Sequence, residues 1–176
     1  VEELDYSANP SAQSLRNLKS GQIAVIVTSF SRPFFTGVLE GINHAAKKAG
    51  YSLLLAETHD DIDAEIKLVN EFTSRCVDGI ILASSAYGKD EKTNNYIKSL
   101  PCLEKKGMRI PLVTLEYAFR GIDLSAVMVD NEYSAHNAVT YLGKNLNRRE
   151  IAYISLPREH YLGRVRRKGY ERALRE

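Results

Sequence analysis

Short runs of β-branched and aliphatic residues alternate with amphipathic helical segments from Gly21 onward. Ile23–Val27 has no polar position, which is typical of a strand buried on both faces of a parallel sheet. Apolar residues then recur at helical spacing between Pro33 and Gly50, residue types that favour a helix start and a helix end. The alternation predicts an α/β fold with a doubly wound parallel sheet and single-helix crossovers.

The same pattern predicts further strands at Ser52–Ala56, Gly79–Leu82, Pro111–Leu115, Ala126–Val129 and Ile151–Ser155. Asp60 or Asp61 is expected to cap the second helix, and Pro101 to interrupt the third. A basic helix is expected from about Gly163, and we interpret Gly37 and Gly41 as points of close helix packing.

Ligands of such sheets bind beyond the carboxyl ends of the strands. The segments expected to form a site are therefore Thr28–Phe35, Ala83–Asp90, Glu116–Ala118 and Leu156–Arg166. None of them contains the glycine spacing of a dinucleotide-binding turn or a Walker A loop, so the sequence predicts no nucleotide-phosphate cradle.

The composition is that of an ordinary globular chain, 44% hydrophobic and 26% charged with a formal net charge of +2. No apolar run approaches the ~20 residues that span a membrane. Cys76 and Cys102 have no metal-ligand spacing, and the four histidines are scattered. We therefore expect a cytoplasmic protein with no cofactor, no metal and no membrane partner.

The first twenty residues do not continue the sheet pattern. Asn9 and Pro10 form a typical helix start, and Pro10–Leu18 is long enough for about two turns. Because isolated helices below ~12 residues are marginal in water, this one needs a partner to stay folded. On these residues alone, a linker remains the alternative.

Six segments follow one another along the chain, namely NPSAQSLRNLKSGQIAVIV, TSFSRPFF, CVDGIIL, IPLVTLEY, VMVDN and RRKGYERAL. LacI/GalR-type bacterial repressors have segments of this kind in the same order, and this chain resembles them. The resemblance implies a hinge helix and a two-lobed core similar to periplasmic sugar-binding proteins. It assigns residues 1–20 to the end of a DNA-binding headpiece and the hinge, 21–130 to the N-terminal lobe, and 131–176 to an incomplete C-terminal lobe. The helix-turn-helix motif would lie upstream.

Within the hinge, Leu15 matches the leucine with which the family wedges a central base step of the DNA minor groove. Asn9 and Arg16 could reach the DNA backbone or the groove edges. The alternative is that Leu15 packs against the headpiece.

The resemblance also implies an effector site in the cleft between the lobes. Its expected residues are Ser29, Phe34, Phe35, Tyr87, Glu116 and Arg166. Phe34 is the better candidate for an exposed stacking surface, because Phe35 lies on the apolar stripe of its helix. Arg166 matches the arginine that donates a planar fork of hydrogen bonds to the effector, whereas Arg164 and Arg167 are expected to be solvated.

Two positions depart from the family pattern. Arg32 replaces the usual asparagine before the Pro-Phe-Phe segment and brings a charge to the mouth of the cleft. Asn147-Arg148 replaces the usual Gly-His before the predicted sixth strand, where asparagine tolerates the left-handed conformation that glycine would supply.

These features predict a DNA-binding transcriptional regulator, a repressor, whose operator affinity is controlled by a sugar or sugar derivative. The expected assembly is a homodimer to which the helix Phe34–Ala49 contributes. One alternative is a periplasmic-type sugar-binding protein of a transporter. Another is an α/β enzyme, for which only Glu116 and Arg166 are candidate groups, and these form a hydrogen-bonding pair and not a catalytic one.

Overall fold

The computed structural model of the chain describes residues 19–87, 90–157 and 160–176. The predicted hinge residues Asn9, Leu15 and Arg16 lie outside the described residues. The described chain divides into two compact units. The first unit comprises residues 19–86 and 90–127, and the second comprises Tyr87 with residues 128–157 and 160–176.

The first unit alternates strands and helices. In chain order its elements are β1 (Gln22–Val27), α1 (Pro33–Lys48), β2 (Ser52–Glu57), α2 (Ile62–Ser74), β3 (Gly79–Leu82), α3 (Glu91–Ser99), a 3₁₀ turn (Leu100–Cys102), β4 (Glu104–Lys105), β5 (Met108–Arg109), β6 (Leu112–Leu115) and β7 (Ser125–Val127). None of the helices in the described part of the chain combines the length and the apolarity needed to cross a membrane.

The main sheet has the strand order β2-β1-β3-β6-β7, and every neighbouring pair is parallel. The predicted doubly wound sheet is therefore confirmed. Its fourth strand begins after Pro111, whose carbonyl accepts a hydrogen bond from the backbone N–H of Ile80. The antiparallel hairpin of β4 and β5 was not predicted, because two-residue strands leave no periodic pattern.

Both faces of this sheet are covered by helices. Phe35 of α1 packs with Val25 and Val27 in a core cluster on one side of β1. The second cluster contains Ala24 and Ile26 together with Phe72 of α2, Tyr96 of α3 and Leu100 of the 3₁₀ turn. Ala24 to Val27 are 0% exposed, which explains the absence of any polar residue in this strand.

Side-chain caps and turn residues delimit the helices. Asp61, and not Asp60, caps α2, because its carboxylate accepts hydrogen bonds from the backbone N–H groups of Asp63 and Ala64. Gly50 follows α1 with φ of +79°, a conformation that glycine adopts without a steric cost.

The second unit contains α4 (Asn131–Thr140), a π-helical turn (Tyr141–Asn145) and α5 (Tyr161–Arg175). Asn147 has a φ of +51°, so the prediction of a left-handed residue there is confirmed. The prediction of a strand at Ile151–Ser155 is wrong, since these residues form no regular element and the Ile154 side chain is 98% exposed. A strand needs a neighbour for its backbone groups, and no pairing with this segment occurs within the described residues.

Helices α4 and α5 pack directly on each other at Gly169. A Cβ atom added there would lie 2.1 Å from the carbonyl oxygen of Glu132 and 2.9 Å from the backbone nitrogen of His136. Gly37 and Gly41 of α1, in contrast, have nothing within 4 Å of an added Cβ. The interpretation of these two glycines as points of close packing is therefore wrong for the described chain.

We expect Gly169→Ala to lower the free energy of unfolding of the second unit by about 1–3 kcal/mol, because the helices must move apart to admit a methyl group. Gly37→Ala is the matched control. It should raise stability by about 0.5–1 kcal/mol, since alanine is the better helix former and the site is open. Urea denaturation of both variants measures these changes, and equal effects would contradict the helix contact.

Candidate functional site

The strand order creates a switch point beside β1. The chain passes from β1 to β2 on one side of β1, and then returns to place β3 on its other side. The loops that follow β1 and β3 therefore leave the sheet toward opposite faces, which opens a crevice at the carboxyl ends of these two strands. Ser29 and Phe34 follow β1 at this edge, and Ser84 and Ser85 follow β3.

The two adjacent phenylalanines of α1 have different environments. Phe34 is 45% exposed, whereas Phe35 is 1% exposed and belongs to the core. Their rings meet edge to face with centroids 5.3 Å apart, so the Phe34 ring packs against the buried Phe35 ring. Of this pair, only Phe34 has an exposed ring. Phe30, 38% exposed in the preceding loop, adds an aromatic group that was not predicted from the sequence.

Arg32 is held against the loop that precedes α2. One of its terminal amino groups donates to Thr28 Oγ1 at 2.9 Å, and the other pairs with the carboxylate of Asp60. Ser29 lies nearby, with its hydroxyl 2.9 Å from that of Ser31. The extra charge of Arg32 is thus partly balanced by Asp60, a pairing that sequence spacing does not reveal.

Glu116 directly follows β6 with a φ of +63°, an uncommon conformation for a residue other than glycine. Its backbone N–H donates to the carbonyl of Val127 at 2.9 Å, which holds the residue at the end of the sheet. Its side chain is half-buried. The sheet therefore places this carboxylate at the same carboxyl edge as Ser29.

A buried carboxylate lies beneath the loop after β3. Glu65 of α2 is fully buried, and its Oε1 accepts hydrogen bonds from Ser84 Oγ at 2.7 Å and from the Tyr96 hydroxyl at 2.9 Å. Its Oε2 accepts the backbone N–H of Ser85. The Ser85 hydroxyl is in turn 2.8 Å from Thr58 Oγ1, in the loop that follows β2. Glu65 therefore joins two edge loops to α2 and α3.

Burial raises the pKa of the Glu65 carboxyl above its ordinary value, and hydrogen bonds from Ser85, Ser84 and Tyr96 only partly oppose this effect. Burial and the neighbouring Glu65 also raise the pKa of the Tyr96 hydroxyl, which therefore keeps its proton as a donor. Glu65 was not predicted from the sequence. Its signal was a charged residue on the inward face of α2, between Ile62 and Val69 at helical spacing.

Arg166 of α5 is oriented by a side chain of α4. Its Nε donates to Asn131 Oδ1 at 2.8 Å, and the amide nitrogen of Asn131, a buried residue, donates to the carbonyl of Val129 at 3.0 Å. The two terminal amino groups of Arg166 take no part in this hydrogen bond. Arg167 instead pairs with Glu171 at 2.7 Å on the exposed side of the helix. Asn131 is the positioning residue that the sequence did not indicate.

Tyr87, which belongs to the second unit, packs its ring against His160 with centroids 4.4 Å apart. The structure thus groups the predicted residues by unit. Ser29, Phe34 and Glu116 share one edge of the first sheet, while Tyr87 and Arg166 belong to the second unit.

The raised pKa of Glu65 has a consequence for stability. The native state holds the proton of this carboxyl more tightly than the unfolded state does. The resulting contribution to the unfolding free energy is fully present below the ordinary carboxyl pKa of 4.5 and is lost as the pH rises through the pKa of the folded state. Glu65→Gln has no such titration. We expect the unfolding free energy of wild type minus that of Glu65→Gln to fall as the pH rises above 4.5. Urea titrations at several pH values measure both free energies. A wild type that becomes more stable relative to Glu65→Gln as the pH rises would contradict the dominance of burial.

Comparison with known proteins is consistent with this arrangement. Residues 20–176 match the family model described as periplasmic binding proteins and sugar binding domain of LacI family. The HTH-type transcriptional repressor PurR of Proteus mirabilis is 27% identical over 178 residues, which cover 100% of this chain and 49% of that protein. The chain spans about half the length of the curated relatives that it matches over its full extent.

Solved structures are also similar to the chain. A putative ribose operon repressor from Burkholderia thailandensis has a TM-score of 0.74 and 30% identity, covering 89% of this chain and 56% of that one. A periplasmic binding protein/LacI transcriptional regulator from Alkaliphilus metalliredigens, complexed with D-xylulofuranose, has a TM-score of 0.69 and 25% identity, covering 88% of this chain and 52% of that one. With its parallel sheet and its polar carboxyl edge, the chain belongs to the family of periplasmic binding proteins and LacI-type sugar-binding domains.

Proposed function

We propose that the chain is part of a DNA-binding transcriptional repressor whose operator affinity is controlled by a small-molecule effector. The observation that carries this proposal is the extent of the similarity to repressors. The match to the PurR relative covers 100% of the chain, including the residues before position 20, where the family model of the sugar-binding domain begins. A sugar-binding protein of a transporter has no use for a DNA-binding hinge in that segment.

The proposed effector is a sugar or sugar derivative. The exposed ring of Phe34 offers a face on which an apolar patch of a sugar can stack, and Ser29 and Glu116 offer hydrogen-bonding groups at the same sheet edge. Arg166 adds a planar fork of donors from the second unit. Groups of these kinds are suited to binding a polyhydroxylated ligand. Because the relatives are named as transcriptional repressors and control proteins, we infer that the protein is a regulator and not an enzyme.

Residues 1–20 are proposed to supply the DNA contacts next to an upstream helix-turn-helix motif. In this proposal Leu15 wedges a base step, and Asn9 and Arg16 contact the backbone or the groove. The active species is a cytoplasmic homodimer to which α1 contributes, and effector binding changes the order of the paired hinges. A periplasmic-type sugar-binding protein is the second candidate, because the family model includes such proteins. The coding sequence upstream of Val1 distinguishes the two.

We expect Leu15→Ala in the full-length protein to weaken specific operator binding by about 1–2 kcal/mol, the order of a lost wedge that supports a DNA kink. Binding to random DNA should change little, because it depends on phosphate electrostatics. Gel-shift titrations on both DNAs measure this difference. Equal losses on the two DNAs would contradict the assignment of Leu15 as a wedge.

The effector is to be identified first, by thermal-shift screening against pentoses, hexoses, sugar phosphates and nucleobases. We then expect Arg166→Ala to lower the affinity for that effector about 10- to 150-fold, the loss of a charge-assisted hydrogen bond, while effector-free operator binding stays intact. Arg167→Ala is the matched control, since its side chain pairs with Glu171. Calorimetric titration that gives Arg166→Ala the wild-type affinity would rule out this arginine as the effector ligand.

A further inference from the structure

A hollow of about 260 Å³ lies at the edge of the first unit opposite the candidate site. It is bordered by the amino ends of the sheet strands and by the β4–β5 hairpin. Three cationic residues line it: Lys19, Lys105 and Arg109. A fourth, Lys106, is exposed at the tip of the same hairpin. We call this set of four residues the basic edge.

The charges of the basic edge are not neutralised by their neighbours. Within the described residues, no ion pair of 4 Å or less involves any of its four members. Asp78 also lines the hollow, where one carboxylate faces three cationic residues. This carboxylate accepts the backbone N–H groups of Ser20 and Gly21 at 2.8 and 2.9 Å, and the Ser20 hydroxyl at 3.2 Å. Glu104 is the cross-strand neighbour of Arg109. The hollow is therefore positive overall.

The turn of the β4–β5 hairpin has an uncommon backbone conformation. Lys106 and Gly107 form its turn with φ values of +51° and +73°. Such two-residue turns favour asparagine, aspartate or glycine at both positions, and lysine is uncommon at a positive φ. The sequence thus keeps a cation at the tip at the expense of local stability, which points to a role for that charge outside the fold.

The basic edge also adjoins the segment to which we assign DNA contacts. Lys19 follows Arg16 by three positions, so their Cα atoms lie within about 11 Å of each other in any conformation. If Arg16 contacts the DNA backbone, Lys19 therefore lies close to the same DNA.

We propose that the basic edge binds the phosphate backbone of DNA flanking the operator, so that the core of the protein contributes directly to DNA affinity. This inference rests on the proposed function. Contacts of this kind carry no sequence information, and they add affinity that depends steeply on salt. The Asp78 hydrogen bonds to Ser20 and Gly21 hold the chain that leads to the hinge beside the hollow, which keeps the basic edge and the hinge on the same DNA.

The test uses the full-length protein and a random-sequence 40-base-pair duplex, with affinities measured by fluorescence anisotropy between about 50 and 200 mM KCl. Each phosphate contact adds about 0.9 to the slope of log K against log salt. We expect K105Q/K106Q/R109Q to reduce this slope by up to about 2.7 for each protomer in contact with the DNA, so that over this range the wild-type affinity falls about 40-fold more per protomer than the variant's.

The matched control is K144Q/R148Q/R149Q, which removes the same charge from the second unit and should leave the slope close to that of wild type. The charge-preserving variant K105R/K106R/R109K should also retain the wild-type slope, which separates charge from folding. An unchanged slope in K105Q/K106Q/R109Q, or an equal reduction in the control, would overturn the proposal.

Two further outcomes are distinguishable. Stabilisation of wild type but not of K105Q/K106Q/R109Q by millimolar inorganic phosphate, with an unchanged DNA slope, would identify a small-anion site and overturn the DNA assignment. Failure of the wild type to bind DNA at any salt concentration would instead refute the proposed function, and the basic-edge proposal with it.

Discussion

The strand β1 is buried from Ala24 to Val27 and pairs in parallel with β2 on one side and β3 on the other. Two core clusters form on its opposite faces, so the helices on both sides of the sheet pack against this one strand. The same pairing makes β1 the point at which the winding direction reverses. The carboxyl end of β1 is therefore where loops separate and a ligand can be admitted.

The second unit depends on a comparable constraint between two helices. Gly169 lets α5 approach the backbone of α4 near Glu132. Arg166 lies three residues earlier and therefore on the same face of α5, where its Nε meets the Asn131 side chain at the start of α4. Arg166 and Gly169 thus have one physical explanation, since the close helix contact that requires glycine at position 169 also holds Arg166 in place.

Much of the fold could be predicted because hydrophobic periodicity is a local property of the chain. The sheet strands of the first unit, the helix start at Pro33 and the exposure of Phe34 relative to Phe35 all follow from spacing. The strand predicted at Ile151–Ser155 failed because a strand also needs a partner, which local spacing does not supply. Glu65 was overlooked because its donors, on the loop after β3 and on α3, are distant in sequence.

By itself, the sequence determined the α/β class, the family and the positions of the candidate residues along the chain, because these depend on local patterns and on the order of motifs. Only the tertiary structure decided which side chains support them. The pairing of Arg32 with Asp60, the orientation of Arg166 by Asn131 and the lining of one hollow by Lys19 and the β4–β5 hairpin each bring together residues far apart in sequence. Such contacts arise from the packing of whole elements, so no local spacing encodes them.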